Sequence, residues 1–323
     1  MKAAQRIDDW DIAKGIGILL VVMGHLRIDA MCSNTIYLFH MPLFFILSGL
    51  LFAPKTGMGE FVRKKAKHLL LPYALFTVLF VPLRVWEKVA LEGKTDFSFS
   101  WHCLSPGFFD VPLWFLPALF IVLVMAFLIC RVEQWKRRAG DVLWVLLAAG
   151  GYVMARAHME LPLYITQALL GLGFFYPAFR LRERIAGGRG NGWTVLGALA
   201  VMAWAVYGGM RTDMAVLRVS ATPLLYVLPA LAGSWLVLCL SGWMAARKTG
   251  VLKRVLCMLG RNSMFIFAVH WPLLSLTYSL FGVSLFVGWR MVLLWAALVL
   301  VSLLMGCILG KLLPGLFRFY AYK

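Results

Sequence analysis

Acidic side chains are scarce in this chain. Only 14 Asp and Glu stand against 32 Lys and Arg, and charged residues of both signs make up 14% of the 323. With 62% hydrophobic residues and a mean hydropathy of +0.83, so little charge cannot cover a surface against water. That excludes a soluble globule and leaves a multipass membrane protein. No GxxxxGK[ST] and no GxGxxG on a strand occurs, which removes the nucleotide-binding α/β folds. Cys32, Cys103, Cys130, Cys239, Cys257 and Cys307 are scattered without CxxC or metal-ligand spacing. They read as small apolar packing residues, and neither a disulfide framework nor a metal site is expected. There is no room for a large soluble domain, so residues 1–323 read as a single membrane-embedded unit. The opening MKAAQRIDDWD is mixed in charge, and the apolar run after it lacks a small-residue cleavage site. The first helix is therefore expected to stay in the protein.

What is present is long apolar runs. Between charged or Pro/Gly-rich breaks they mark ten spans, near residues 12–30, 35–53, 69–87, 112–130, 142–159, 162–179, 193–210, 219–242, 262–281 and 286–312. The expected fold is an all-α bundle of about ten transmembrane helices. Of the 32 basic residues, all but Arg27, Arg84, Lys88, Lys94, Arg156, Arg211, Arg218 and Arg290 fall on alternate breaks. The positive-inside rule puts those breaks and both termini in the cytoplasm. The net charge of +18 is then a topology signal, with some attraction to anionic lipid. Basic residues dispersed over many short loops make no nucleic-acid face, so the expected macroscopic partner is the lipid bilayer.

One stretch organises the rest: DIAKGIGILLVVMGH, from Asp11 to His25. On a helix, Asp11, Lys14 and His25 share one stripe, with Asp11 and His25 about 21 Å apart along the axis. Ionisable groups at membrane depth are costly, so they face a bundle interior or an aqueous cavity and read as functional. By position alone, a histidine hydrogen-bonding among headgroups explains His25 equally well. Asp11 and Lys14 lie too far along the helix to touch it, and read as an ion pair that positions a donor or locks the helix end.

Further candidates follow in order. In FHMPLFFILSGLLF, His40 either helps hold a substrate hydroxyl or lies at the interface, Pro42 is expected to kink the helix, and Ser48 and Gly49 to let helices approach. Arg63, Lys64, Lys65, Lys67 and His68 precede the third span, either as a topology anchor or as a clamp for phosphate oxygens. Trp114 opens the fourth span as part of an aromatic belt or as a sugar-stacking platform. Asn262 and Ser263 are accounted for by helix capping. His270, deep in its span, needs a polar partner and is a candidate to line one cavity with His25. The outer loop 88–111 offers Asp96, Trp101, His102 and Asp110, none of them diagnostic.

In content and order, DIAKGIGILLVVMGH, FHMPLFFILSG, the basic run ending in LLLPY, PLWFLPALF at 112–120 and LGRNSMFIFAVHWPLL at 259–274 resemble the acyltransferase-3 family of multipass membrane O-acyltransferases. The resemblance is nearest to the branch similar to fucose 4-O-acetylases and other surface-polysaccharide O-acetylases, and it covers essentially the whole chain. It implies an acyl-CoA-dependent enzyme of the bacterial cytoplasmic (inner) membrane, with acetyl-CoA as cosubstrate, no permanently bound cofactor, and a surface or lipid-linked carbohydrate as acceptor. It implies His25 as the catalytic residue and the basic run, with Lys14, as the donor-binding part. Two departures stand out. The Arg-x-x-Arg frequent in the family before the third helix falls here on Lys64 and Lys67, or on Lys65 and His68, which lack the guanidinium fork. No appended hydrolase-like domain is expected after the last helix, which leaves the transfer to the membrane unit.

The chemistry agrees with the residues. A sugar hydroxyl is a poor nucleophile near neutral pH, and an imidazole with a pKa near ~6.5 can take its proton as it attacks a thioester. Such help is worth about 100-fold to 10,000-fold. A covalent acyl-imidazole relay on His25 is the other route, and the sequence leaves both open. Asp11, His40, Trp114, Asn262, Ser263 and His270 are the acceptor-binding or site-lining candidates. Two other classes are a transporter or receptor for a glycan or small metabolite, and a passive scaffold in a glycan-export complex. The transporter predicts inverted repeats, but the DxxKG and HMPLFFxxSG patterns each occur once. A homo-oligomer is left open.

Overall fold

The computed structural model describes residues 3–90, 112–187, 190–247 and 250–312. The loop candidates Asp96, Trp101, His102 and Asp110 lie outside the described residues. The helices are α1 (Ala3–His25), α2 (Ala30–Tyr37), α3 (His40–Leu50), α4 (Met58–Ala90), α5 (Phe115–Trp135), α6 (Arg137–Arg156) and α7 (Ile165–Arg180). They continue with α8 (Arg182–Gly187), α9 (Gly192–Tyr207), α10 (Pro223–Ala246), α11 (Val251–Arg261), α12 (Ser263–Phe281) and α13 (Trp289–Leu312). Short 3-10 turns lead into α5 at Pro112–Trp114 and into α7 at Pro162–Tyr164. Among the described residues the only β-pairing is a bridge between Asp213 and Arg218 in the hairpin that joins α9 to α10. The fold is all-α, as the sequence predicts.

Among the described residues, seven helical spans are long and apolar enough to cross a membrane: Ala30–Leu50 (α2 with α3), Met58–Leu83, Pro112–Trp135, Arg138–Arg156, Pro223–Ala246, Ser263–Phe281 and Trp289–Leu312. Each of the ten expected runs meets a helix, but three fall short. The first half of α1 carries Asp8, Asp9, Asp11 and Lys14, while α7 and α9 have 16 residues each. Sixteen residues rise about 24 Å, less than a typical hydrocarbon thickness. The exterior is apolar: Val292, Leu293, Leu300, Leu304 and Ile308 of α13 are all more than half exposed. Such a face is stable in hydrocarbon and a liability in water.

The core forms around α1, which packs on α2, α3, α10, α11, α12 and α13. Its Ile12, Ala13, Ile18, Val21 and Val22 are completely buried. At the charged end of α1, two glycines set the crossing with α11. A Cβ on Gly15 would overlap the Leu256 carbonyl, and one on Gly260 would overlap the Asp11 carbonyl. Over that contact Arg261 Nε donates to Asp11 Oδ2 at 2.9 Å, Lys14 Nζ lies 3.6 Å from Asp11 Oδ1, and Lys253 Nζ lies 2.9 Å from Asp8. The expected Asp11–Lys14 pair is present, and Arg261 is a closer partner 250 residues away. Because backbone meets backbone at Gly260, Gly260→Leu is expected to destabilise the protein by about 2 kcal/mol or more, read as a lowered melting temperature in detergent.

Pro42 acts differently from the expected kink. A proline ring clashes with the carbonyl four residues back, here Leu38, and the helix stops there. Thus α2 ends at Tyr37 and α3 restarts at His40, with Pro42 in its first turn, where no amide donor is needed. Gly49 lets α3 approach α7, since a Cβ there would meet the Phe175 carbonyl.

Candidate active site

The break before Pro42, the end of α1 and the middle of α12 bring three histidines to one place. His25 closes α1, and its Nδ1 lies 3.0 Å from His270 Nε2. His270 is fully buried, and its Nδ1 donates to the Ile266 carbonyl at 2.8 Å. A carbonyl only accepts, so His270 Nδ1 carries a hydrogen. A neutral ring then leaves Nε2 as an acceptor. His25 Nδ1 must donate to it, and His25 Nε2 is left with the lone pair. The pair therefore sets the tautomer that a general base needs.

His25 faces a cavity of about 250 Å³ lined also by Tyr37, His40, Met41, Pro112, Trp114, Glu160, Tyr164, Asp213, Phe267 and Trp271. His40, buried, donates through Nδ1 to the Ile36 carbonyl at 2.9 Å, across the helix break. Its ring packs edge-on against Tyr37 at 4.8 Å between centroids. Trp271 meets His25 edge-on at 5.1 Å, and its buried Nε1 has no hydrogen-bond partner. An indole N–H is a donor only, so the ring that packs on His25 keeps an unused donor. Two carboxylates, Asp213 and Glu160, complete the lining.

Two loops roof the cavity, and both are held in unusual backbone. His158, Leu163 and Tyr164 have φ of 52°, 59° and 63°, and Leu217 in the α9–α10 hairpin has φ of 53°. Among the described residues these are the only non-glycine residues in the left-handed region, and strain of this kind gathers at functional sites. Buried side chains enforce it. Thr166 Oγ1 donates to the Met159 carbonyl at 2.9 Å and accepts from Leu161 N, while Gln167 Nε2 donates to the Ala215 carbonyl at 3.1 Å. Thr212 Oγ1 donates to the Tyr37 carbonyl at 3.0 Å, and the Arg211 guanidinium lies over the Tyr37 ring.

Burial raises the Asp213 carboxyl above the ordinary range, against the Ala215 and Val216 amides and the Arg211 and Arg218 guanidiniums, which lower it. Folding therefore tightens its proton relative to the unfolded value near ~3.9. The stability this contributes is complete below that unfolded value and is lost as pH rises through the higher folded one. Asp213→Asn keeps the oxygen that accepts from Ala215 N at 3.0 Å. It is expected to flatten this decline, as read by melting curves across acidic to neutral pH.

The sequence candidates thus divide. His25, His40 and Trp114 line one cavity, and His270 holds His25 from behind. Asp11, Asn262 and Ser263, expected as site-lining, belong to the opposite end of the bundle. Asn262 Nδ2 donates to the Met258 carbonyl at 2.8 Å and closes α11, and it makes no side-chain cap to α12. Asp11 is used by Arg261 and Lys14. Arg63, Lys64 and Lys67 are exposed near the start of α4, Lys65 lies over the Phe61 ring at 5.6 Å, and His68 Nδ1 donates to the Lys64 carbonyl. At that end a second polar cavity of about 290 Å³ is lined by Lys55, Thr56, Phe127, Cys130, Arg131 and Gln134, and Phe61 packs on its Phe127 wall.

A family model described as an acyltransferase domain matches residues 7–311. The chain belongs to the acyltransferase-3 family. Two curated relatives are each named nodulation protein NolL. The one from Mesorhizobium japonicum is 29% identical over 186 residues, covering 53% of this chain and 46% of the relative. The one from Sinorhizobium fredii is 28% identical over 154 residues, covering 43% and 41%. The chain spans less than half the length of either relative. No solved structure matches it. The acyltransferase-3 match and, among the described residues, seven helical spans long and apolar enough to cross a membrane mark an integral membrane protein that carries an acyltransferase domain.

Sequence reasoning missed Tyr37, Glu160, Tyr164, Asp213 and Trp271. Trp271 had a signal, since it follows His270 directly and an indole in a span calls for a partner. Asp213 and Glu160 sit in loops of ordinary composition and became visible only once the hairpin folded over the cavity.

Proposed function

We propose that this acyltransferase moves an acetyl group from acetyl-CoA to a hydroxyl of a carbohydrate acceptor, with His25 Nε2 taking the hydroxyl proton. The observation that carries this reading is the His25–His270 contact, which leaves a lone pair on the nitrogen of a ring lining a cavity with carboxylate and indole walls. Carboxylates accept hydrogen bonds from sugar hydroxyls, and Trp114 and Trp271 offer flat apolar faces to a sugar ring. The attacking oxygen bonds to the thioester carbon as its proton passes to His25 Nε2. The tetrahedral oxyanion collapses, and the CoA thiolate leaves, taking up that proton.

The proposed arrangement has ten passes with both termini cytoplasmic, in the cytoplasmic membrane of a bacterium. The donor phosphates then meet the basic run from Arg63 to His68 together with Lys55 and Arg131, at the end of the bundle opposite His25. Fourteen residues of α1 separate the two ends by about 21 Å, a length for the acyl-bearing arm of the donor to span. The test is incorporation of labelled acetyl from acetyl-CoA into membrane glycan by inverted vesicles containing the protein. Incorporation above vesicles lacking the protein supports the reading. Absence of both incorporation and thermal stabilisation by CoA overturns it.

A further inference from the structure

The histidine cavity holds a second imidazole that the proton transfer does not use. His40 opens α3 at the helix break before Pro42 and is 4% exposed. Its Nδ1 donates to the Ile36 carbonyl at 2.9 Å, and its ring stands edge-on to Tyr37 with 4.8 Å between centroids. These two contacts fix the ring. A carbonyl only accepts, so Nδ1 carries the hydrogen, and no carboxylate among the described residues pairs with His40 to hold a second one. A buried ring without such a partner stays neutral, which leaves Nε2 with a lone pair. That nitrogen meets no donor among the described residues, and it is not sealed by protein as the Trp271 Nε1 is. A buried hydrogen-bond acceptor left unmade costs free energy, so His40 Nε2 calls for a donor from whatever fills the cavity.

The same tautomer stands on the other side of Tyr37. The Tyr37 ring lies 6.3 Å from the His25 ring, whose Nε2 carries the other imidazole lone pair of the cavity. Asp213 and Glu160 add carboxylate oxygens, while the Tyr164 hydroxyl is engaged with that of Tyr73. The wall is therefore rich in hydrogen-bond acceptors, and it selects a ligand by the hydrogens that the ligand brings. One reacting hydroxyl answers His25 and leaves His40 unmet. We propose that His40 Nε2 accepts from a second, non-reacting hydroxyl of the same sugar unit and so decides which hydroxyl meets His25. The proposal rests on the carbohydrate reading above. It makes the substrate a sugar with two free hydroxyls on one ring, and His40 the residue that fixes the position of acetylation. A ring held only at its reacting oxygen can turn and offer another; held at two points it presents one. A sugar lacking the second hydroxyl is disfavoured, because it leaves a buried acceptor unpaired.

The test uses the full chain in nanodiscs, with methyl glucoside, galactoside, mannoside and fucoside and their monodeoxy analogues, read by saturation-transfer NMR. Two hydroxyls are expected to matter, and deleting either weakens binding by about threefold to tenfold. His40→Asn keeps an amide donor for the Ile36 carbonyl and removes the Nε2 acceptor. In that variant one of the two deletions is expected to become neutral, while melting stays at the wild-type value. His40→Gln brings an amide oxygen near the Nε2 position and is expected to restore the need for both hydroxyls. Labelled acetyl transferred in inverted vesicles is expected on one hydroxyl with the wild type and on two or more with His40→Asn. Binding of none of the four parent glycosides, a need for only one hydroxyl in the wild type, or an unchanged need for both in His40→Asn overturns the proposal. If His40→Asn does not fold, the deoxy series on the wild type and His40→Gln decides. Binding that needs both hydroxyls without any acetyl transfer leaves this site standing and removes the acyl-transfer reading. Acetyl transfer with a need for only one hydroxyl does the reverse.

Discussion

His25→Ala is expected to lower acyl transfer by about 100-fold to 10,000-fold, the range that positioned general bases supply. Folding should be spared, because His25 is only partly buried and its polar contacts are to the His270 ring and the backbone of Val21 in its own helix. The comparison is made at equal expression in inverted vesicles, with labelled acetyl-CoA and a melting curve for each protein. A variant that melts with the wild type and transfers at the wild-type rate removes His25 from the reaction. A covalent acyl-imidazole would lose activity in the same variant but leaves a second mark. Acid quenching of the wild type during turnover would trap label on the His25 peptide, whereas direct transfer leaves that peptide unlabelled.

His270→Leu is expected to cost about 100-fold in kcat with little change in KM for either substrate. His270 does not line the cavity; it stands behind His25, fully buried, and fixes which of the two His25 nitrogens bears the proton. Removing the group that sets the tautomer of a catalytic histidine can cost as much as ~10,000-fold in a serine protease, so a large rate effect at intact binding is the signature of this role. Leucine also leaves the His25 Nδ1–H facing an apolar wall, which frees the ring to turn. His270→Gln supplies a carbonyl oxygen that accepts from Nδ1–H and is expected to recover a good part of the rate. If Gln and Leu are equally slow, His270 serves packing alone.

These expectations draw on two kinds of information. The alternation of apolar runs, the basic breaks and the Asp11–Lys14–His25 stripe were visible in the sequence, because membrane helices must be apolar for most of their length and because ionisable residues within them need a reason. His25, His40, Trp114 and His270 were visible for that second reason: each is a polar or amphipathic group in an apolar run. The basic run at Arg63–His68 was equally visible, and its placement on exposed helix surface is what a charged segment requires whether or not it binds a donor. Asp213 and Glu160 gave no such signal, since carboxylates in loops are ordinary and their role depends on where the loop goes.

Misreadings had the same source. Asn262 was expected to cap the helix that follows it, but a side-chain amide can equally donate to the helix before it, and only the three-dimensional path of α11 selects the Met258 carbonyl. Pro42 was expected to kink a continuous helix, yet its clash with residue 38 ends one helix and starts another, which swings His40 toward His25. The sequence by itself determined the environment of this protein, its helical class, its family and which histidines had to be explained, because each follows from local composition and spacing. The tertiary structure alone decided that His270 meets His25 and that a strained hairpin brings a carboxylate to the His25 cavity. Those facts depend on contacts between residues as much as 245 positions apart, and no local pattern encodes which of many apolar helices pack together.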